Sequence, residues 1–453
     1  MMTPRRFLLP ALLLGLTAHG LAGNWPNWRG PAFNGTAAED EKDLPVKFSA
    51  TEGVAWVADL PGPAASTPVV WEDSVFVSAA VESEQKIYAI CLNRKSGEVR
   101  WKHAVGDGYR VDDKSNFASP SPVTDGKVAI FFYGTGDLVA YDFNGTEVWK
   151  TNVQKDHGRF AIQWTYSSSP MLADGRLYLQ VLQRNESFEF ANVQKGEKDS
   201  PNDSYILALD PATGKQLWKT IRPCDAVAES REAFSTPIPF THQGRSELLI
   251  AGGDGITGHE AATGKELWRW STWNPTKIGH WRLVTSPVGG AGIVLACAPK
   301  REPIYAFKAG GNGVLDESGI AWITNDEERK EVSSDVSTPA FYQGRFYIVN
   351  SDRQSVSCVE PASGKVFWDQ RIESPDVRLQ KFESSPTIAD GKLYVMDQRG
   401  TVVVLAASET FQLLSINQMG SEKEQEVRST IAVAHGQLFI RCNGKLFCVG
   451  RKD

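Results

Sequence analysis

The sequence predicts an all-β fold: an eight-bladed β-propeller of four-stranded antiparallel blades, closed into a ring by an N-terminal strand that completes the last blade. Three observations carry this. A Ser/Thr-Pro pair recurs at Pro68, Pro122, Pro170, Pro237, Pro287, Pro339 and Pro386, and Ser429-Thr430-Ile431 is an eighth copy with Ile in the Pro slot. The copies are spaced by roughly 52 residues, within the period of four-strand propeller blades. A Trp marks most copies, and no stretch keeps a helical period.

The third copy is the fullest and defines the elements. Segments 170–173, 177–182, 205–209 and 216–219 read as four strands, alternating apolar with small or polar residues. Asp174-Gly175 is the hairpin turn between the first two, a pair that tolerates positive φ. Thr213-Gly214-Lys215 turns the third strand into the fourth. The Trp markers are Trp56, Trp101, Trp149, Trp218, Trp268, Trp322 and Trp368, and a Gly stands four residues before five of them (Gly97, Gly145, Gly214, Gly264 and Gly364). By the same count Leu414 fills the Trp slot after the seventh Pro. A single blade cannot bury both of its faces, so eight stack radially, and the seven Trp rings are expected to dock blade against blade.

Closure is legible as well. Trp56 has no strands of its own blade before it, while the last copy stops at Cys448-Val449 after its third strand. Residues 53–57 are therefore expected to supply the missing fourth strand and remove the open sheet edge. Length alone, 453 residues, suggests several domains. The repeat instead puts 53–453 in one propeller, with 23–52 as an extension packed on it and 1–22 as a signal peptide.

The signal peptide is read from Arg5-Arg6, the apolar run 7–16 and the small residues of Gly20-Leu21-Ala22. Cleavage is expected near Ala22. The run is too short for a membrane anchor, and no Cys before Cys91 is available for lipidation. The expected product is an exported monomer of the periplasm, or a secreted one. A formal charge of −6 and the absence of basic runs with interleaved aromatics argue against a nucleic-acid partner. Of the six cysteines, Cys91, Cys358 and Cys448 occupy equivalent slots where other copies have Ala140 or Ala208, and so read as small buried residues. Cys224, Cys297 and Cys442 cannot be paired from sequence.

The repeat core, 207–218 (LALDPATGKQLW), with its copies at 260–268 and 360–365, resembles the pyrroloquinoline-quinone-type (PQQ-like) propeller repeat. The segment 24–31 (NWPNWRGP) resembles the opening of exported planctomycete-type proteins of this class. The resemblance covers nearly the whole chain after residue 22 and implies fold more than function. It implies two functional classes. Quinoprotein dehydrogenases hold the quinone and a calcium ion over the propeller axis, and their alcohol-oxidising members cover it with a disulfide of adjacent cysteines. This chain has no adjacent cysteines and lacks their long insertions. The other class resembles the propeller subunit of the outer-membrane β-barrel assembly machinery, a lipoprotein that binds other proteins; this chain has no lipidation cysteine. The expectation is a non-catalytic scaffold without cofactor, PQQ with calcium being the disfavoured alternative. A carbohydrate-active propeller is a third reading.

The site is expected on one face. The short, uniform turns (Asp125-Gly126, Asp174-Gly175, Thr213-Gly214) share one side, so the long, irregular loops share the other, where binding resides on a rigid scaffold. Residues leading into each innermost strand should ring the axis: Asp112, Asp113 and Asn116; His157, Arg159, Gln163 and Trp164; Arg231 and Glu232; His280, Trp281 and Arg282; Asp335; Arg378, Gln380 and Lys381; and Glu426 and Arg428. Their mixture of cations, carboxylates and aromatics suits a small polar ligand or an envelope protein partner. The competing reading is a set of ion pairs between neighbouring blades. Asp112-Asp113 with Asn116 lacks the spacing of a calcium loop, so no metal site is expected. His157 or His280 beside an Asp would suit a general base, but lone loop histidines are far more often structural or solvated and no GxSxG or HExxH is present, so no catalytic residue is assigned.

Overall fold

A computed structural model describes residues 23–112, 114–421 and 426–452. The signal-peptide assignment and Asp113 lie outside the described residues. Eight four-stranded antiparallel sheets follow one another around a ring. Blades one to seven span 69–107, 123–152, 171–221, 238–271, 288–323, 340–371 and 387–418. In blade three the strands are Met171–Ala173, Arg176–Val181, Tyr205–Leu209 and Gln216–Ile221. Blade eight takes Ala432–Ala434, Gln437–Cys442 and Lys445–Val449 from the end of the chain and Val54–Asp59 from its beginning. Val57 pairs with Phe447 and Asp59 with Lys445, so the N-terminal strand closes the ring as expected.

The first strands of neighbouring blades lie against each other and surround the axis. The outermost strands carry the Trp residues, and each indole reaches across to the next blade. Trp149 donates from Nε1 to Pro211 O at 2.8 Å, Trp56 to Arg94 O at 2.7 Å, Trp322 to Pro361 O at 2.7 Å and Trp368 to Ser408 O at 3.0 Å. In strand register each Trp faces a small residue: Ala140, Ala208, Gly258 or Ala306, or one of Cys91, Cys358 and Cys448. The three cysteines thus occupy the slot that only a small side chain fits beneath an indole. None of the six cysteines is disulfide-bonded.

Trp218 Nε1 of blade three has no hydrogen-bond partner, and two further blades depart from the pattern. Trp268 donates to Glu247 Oε2 at 2.6 Å, and the connection before the last strand of blade five adds Gly313–Val314 alongside it as a fifth strand. In blade seven the turn between the third and fourth strands is one residue longer. Ser415, rather than Leu414, therefore takes the Trp register opposite Val404. Its hydroxyl donates to Val46 O of the N-terminal extension. A count carried over from the other copies could not register the extra turn residue.

Candidate functional site

Extended backbone sends alternate side chains to opposite sides, and at the start of each innermost strand this alternation builds concentric rings around the axis. The hydroxyl residues of the eight repeated Ser/Thr-Pro positions, from Thr67 round to Thr430, all line one axial cavity of about 420 Å3. Seven of the eight neighbouring pairs are joined blade to blade. Thr67 N donates to Ser121 Oγ (2.9 Å), Ser121 N to Ser169 Oγ (3.0 Å), Ser169 N to Thr236 Oγ1 (3.2 Å) and Thr236 N to Ser286 Oγ (2.8 Å). Ser286 N then donates to Thr338 Oγ1 (2.9 Å), Thr338 N to Ser385 Oγ (3.0 Å) and Thr430 N to Thr67 Oγ1 (3.1 Å). Two residues earlier, the next ring has small residues on one arc (Ala65, Ser119, Ser167) and apolar ones on the next (Phe234, Val284, Val336). The ion pair Arg428–Glu383, 2.7 Å, completes it.

The N-terminal extension forms the opposite end. Trp25 exchanges backbone hydrogen bonds with Val70 (2.8 and 2.9 Å), and Thr124 N donates to Pro26 O (3.0 Å). Farther on, Phe341 N donates to Asn34 O (3.1 Å) and Ile388 N to Gly35 O (2.8 Å). Residues 25–35 thus cross the axis from blades one and two to blades six and seven, at the turn end of the first strands. Trp28 lines the cavity from this side. Arg29 is wholly buried, donates to Pro339 O (2.5 Å) and Pro386 O (3.4 Å), and is pushed down to about 9 by desolvation.

Of the residues expected at the funnel, Asp112, Trp164, Arg282, Asp335, Lys381 and Arg428 converge on this cavity. Each is engaged with protein. Asp112 accepts from Thr165 N (2.8 Å), Lys114 N (2.8 Å) and Ser115 N (2.7 Å); burial opposes its ionisation, and these N–H groups hold it below the usual carboxylate value. Asp335 accepts from Lys300 N (2.6 Å), and Lys381 pairs with Asp352 (2.5 Å). Arg282 pairs with Glu229 (2.7 Å), which also accepts from Trp164 Nε1 (2.8 Å). The others sit elsewhere. Asn116 accepts from Ala118 N of its own loop and donates to Pro63 O, and Arg231 holds Cys224 O and Ala226 O. Trp281 N donates to Ser230 Oγ, while His280 and Arg378 are exposed. His157 and Arg159 line a separate cleft.

Beside the funnel mouth, Gln163 joins a buried pair of which sequence reasoning singled out Glu232 but not Arg184. Arg184 lies 2.6 Å from Glu232, whose carboxylate also accepts from Gln163 N (3.0 Å). Burial raises Glu232 to about 7 against the pull of Arg184. Over this pair lies an aromatic–arginine patch built on the hairpin Phe188–Phe190/Val193–Lys195. Phe190 meets Trp164 edge-on at 5.3 Å. Arg184 sits over Phe188 (4.0 Å), Arg110 over Phe190 (5.9 Å) and Arg282 over Trp164 (5.6 Å). Val111 and Val193 stand exposed at its edge. Only Trp164 and Arg282 of this patch were legible in the sequence, because they precede Ser/Thr-Pro pairs; the hairpin lies inside a loop with no repeat to mark it.

The donor set tests whether a quinone-bound calcium fits. Among the described residues, no group of three or more His, Cys, Asp or Glu is placed to hold a metal ion. The cavity carboxylates Asp112, Asp335 and Glu383 come from three different loops, each already taken by backbone N–H groups or an arginine. These residues do not fit the calcium-bound quinone of the dehydrogenases.

The model of the family described as outer membrane protein assembly factor BamB matches residues 33–199 and 202–453. Among relatives, the polyvinylalcohol dehydrogenase of Sphingopyxis sp. (strain 113P3) is 31% identical over 207 residues, covering 44% of this chain and 28% of that protein. The outer membrane protein assembly factor BamB of Yersinia pestis is 24% identical over 334 residues, 70% of this chain and 68% of that protein. The chain thus spans little more than a quarter of the dehydrogenase's length. Among solved structures, BamB from Moraxella catarrhalis superposes with a TM-score of 0.57 at 14% identity, covering 88% of this chain and 99% of that one. A europium-containing methanol dehydrogenase superposes with a TM-score of 0.64 at 11% identity, covering 92% and 89%. At these identities the structural likeness shows the fold alone.

Proposed function

The chain belongs to the family of outer membrane protein assembly factor BamB, and from that premise we propose that it is an exported, non-catalytic scaffold whose long-loop face binds an envelope protein. The observation that carries this reading is the patch formed by Trp164, Phe188, Phe190, Arg110, Arg184 and Arg282. Trp and Arg are the residue types that concentrate binding energy at protein interfaces. Here the rings are held by arginines that are themselves anchored, so little side-chain freedom is lost on docking. No helix among the described residues is long and apolar enough to cross a membrane. A quinone-dependent oxidoreductase is the alternative reading, drawn from the dehydrogenase relatives; the committed carboxylates of the axial cavity weigh against it.

The test places a photocrosslinking residue at Val193, on the patch, and at Leu217, on the exposed outer edge of blade three. In the producing cell, a discrete protein adduct is expected at Val193 alone and is lost in Trp164→Ala. Equal adducts at both positions would remove the case for a binding face. Saturable binding of PQQ and calcium with turnover of an alcohol, followed with a dye acceptor, would overturn the non-catalytic reading.

A further inference from the structure

His157 and Arg159 stand apart from the axial cavity, in a second cleft of about 240 Å3. Its walls are the five-residue helix Val153–His157, the loop 196–203 and the two outer strands of blade three, Tyr205–Leu209 and Gln216–Ile221. Three side chains that carry hydrogen-bond donors line it. Tyr205 is only 2% exposed, yet its hydroxyl has no hydrogen-bond partner. The Lys219 ammonium lies over the Tyr205 ring, 4.2 Å from its centroid. The His157 imidazole lies 5.6 Å from the same ring.

The carboxylates nearby do not satisfy these donors. Glu197 accepts from Arg159 N at 2.9 Å and stands 3.9 Å from its Nε. Asp156, on the helix, accepts from Thr151 Oγ1 at 2.5 Å. Asp203 faces Lys219 as a charge without forming an ion pair. A buried phenol without an acceptor costs free energy that an acceptor-bearing ligand removes.

We propose that this cleft is an oxyanion site, taking a phosphate or carboxylate group on the Lys219 ammonium, the His157 imidazole and the Tyr205 hydroxyl. The titration of the cationic groups agrees. Burial, with the Lys219 charge nearby, holds His157 below its ordinary value, and burial lowers Lys219 against the pull of Asp203. Burial disfavours the charged form of each, and a bound anion raises both. The oxyanion can belong to a free small molecule or to a lipid headgroup, and the chemistry is the same.

The test uses the full exported chain and inorganic phosphate, with His157 followed by NMR against chloride at equal ionic strength. Saturable shifts and an upward move of the His157 titration are expected. Lys219→Met should weaken binding about tenfold, the worth of one charge-assisted hydrogen bond, and Tyr205→Phe should weaken it less. Both variants should melt like the parent in phosphate-free buffer, since Lys219 lies on an exposed strand face and Tyr205→Phe keeps the ring. A His157 response that never saturates, or one unchanged in Lys219→Met, overturns the site. A second arm floats the protein with phosphatidylglycerol vesicles. Lys219-dependent flotation assigns the oxyanion to lipid; saturable phosphate binding without flotation assigns it to a soluble ligand, and either supports the site.

Discussion

Thr430 N donates to Thr67 Oγ1 at 3.1 Å, and through this bond the last copy of the repeat meets the first. The two residues are 363 positions apart in the chain, yet the bond repeats the one that joins six other neighbouring pairs around the hydroxyl ring, from Thr67–Ser121 to Thr338–Ser385. Ring closure therefore rests on the axis as well as on the outer strand Val54–Asp59.

Thr67→Val keeps the shape of the side chain and removes the acceptor. Thr430 N–H is then buried without a partner, at a cost of about 1–3 kcal/mol. The unfolding midpoint should fall and amide exchange at Thr430 should rise, whereas Thr67→Ser, which keeps the oxygen, should match the parent. Equal loss in both variants would mean that methyl packing, not the bond, holds the seam.

The Trp–Gly contact between blades predicts a contrast between two glycines. Gly214 has φ +68°, and a Cβ there would stand 2.6 Å from the Trp149 ring; Gly175 has the same φ with nothing within 4 Å. Gly175→Ala should cost on the order of 1 kcal/mol, from backbone strain alone. Gly214→Ala should cost on the order of 2 kcal/mol more, because the indole must leave its place on the next blade. Urea denaturation of the pair decides it: similar midpoints would show that the contact is slack.

His259 supplies an acid-sensitive element in blade four. It is wholly buried, with Nδ1–H donating to Gly264 O (3.1 Å) and Nε2 accepting from the Thr257 hydroxyl (2.9 Å). Burial, with the Arg222 cation nearby, pushes it down to about 4 from an ordinary 6.5. The unfolded chain therefore binds the proton first, so this group's contribution to stability falls as pH drops from 6.5 to 4. The loss is on the order of 3 kcal/mol across that window. His259→Gln should lose less stability than the parent between the same two pH values, whatever its stability at pH 7. Parallel stability–pH curves would assign the acid sensitivity to other groups.

Thiol reactivity should sort the cysteines by their place in the blades. Cys91, Cys297 and Cys358 are buried, and burial raises them to about 11, about 12 and about 12. Cys224 is only partly buried. A thiol reagent at neutral pH should modify Cys224 in the native protein and reach the other three only on unfolding, as the thiolate is the reactive form. Native labelling of Cys358 would show that the contact of Trp368 across that slot opens.

The blades were legible from the sequence because each is a local unit: a Pro, a turn and a Trp recurring in the same order report strands that pair with their own neighbours. Closure by the strand containing Trp56 was legible for the same reason, since a blade missing one strand at each end of the chain has one solution. The Ser415 slot was not, because one added turn residue shifts the register and no Trp marks the shift. At the site, Asp112, Trp164, Arg282, Asp335, Lys381 and Arg428 were found by their position before the innermost strands. His157, Arg159, Arg231 and Arg378 share that position and point elsewhere, because the loops carrying them fold on themselves before reaching the axis.

The sequence by itself determined the repeat, the number of blades, the order of the strands and the face that carries the variable loops, all of which follow from contacts short in sequence. Only the tertiary structure decided that the repeated hydroxyls interlock around the axis, that Trp28 and Arg29 close its far end and that Phe190 meets Trp164. Those contacts join residues tens to hundreds of positions apart, and nothing in local spacing encodes which distant group a side chain will meet once the ring has closed.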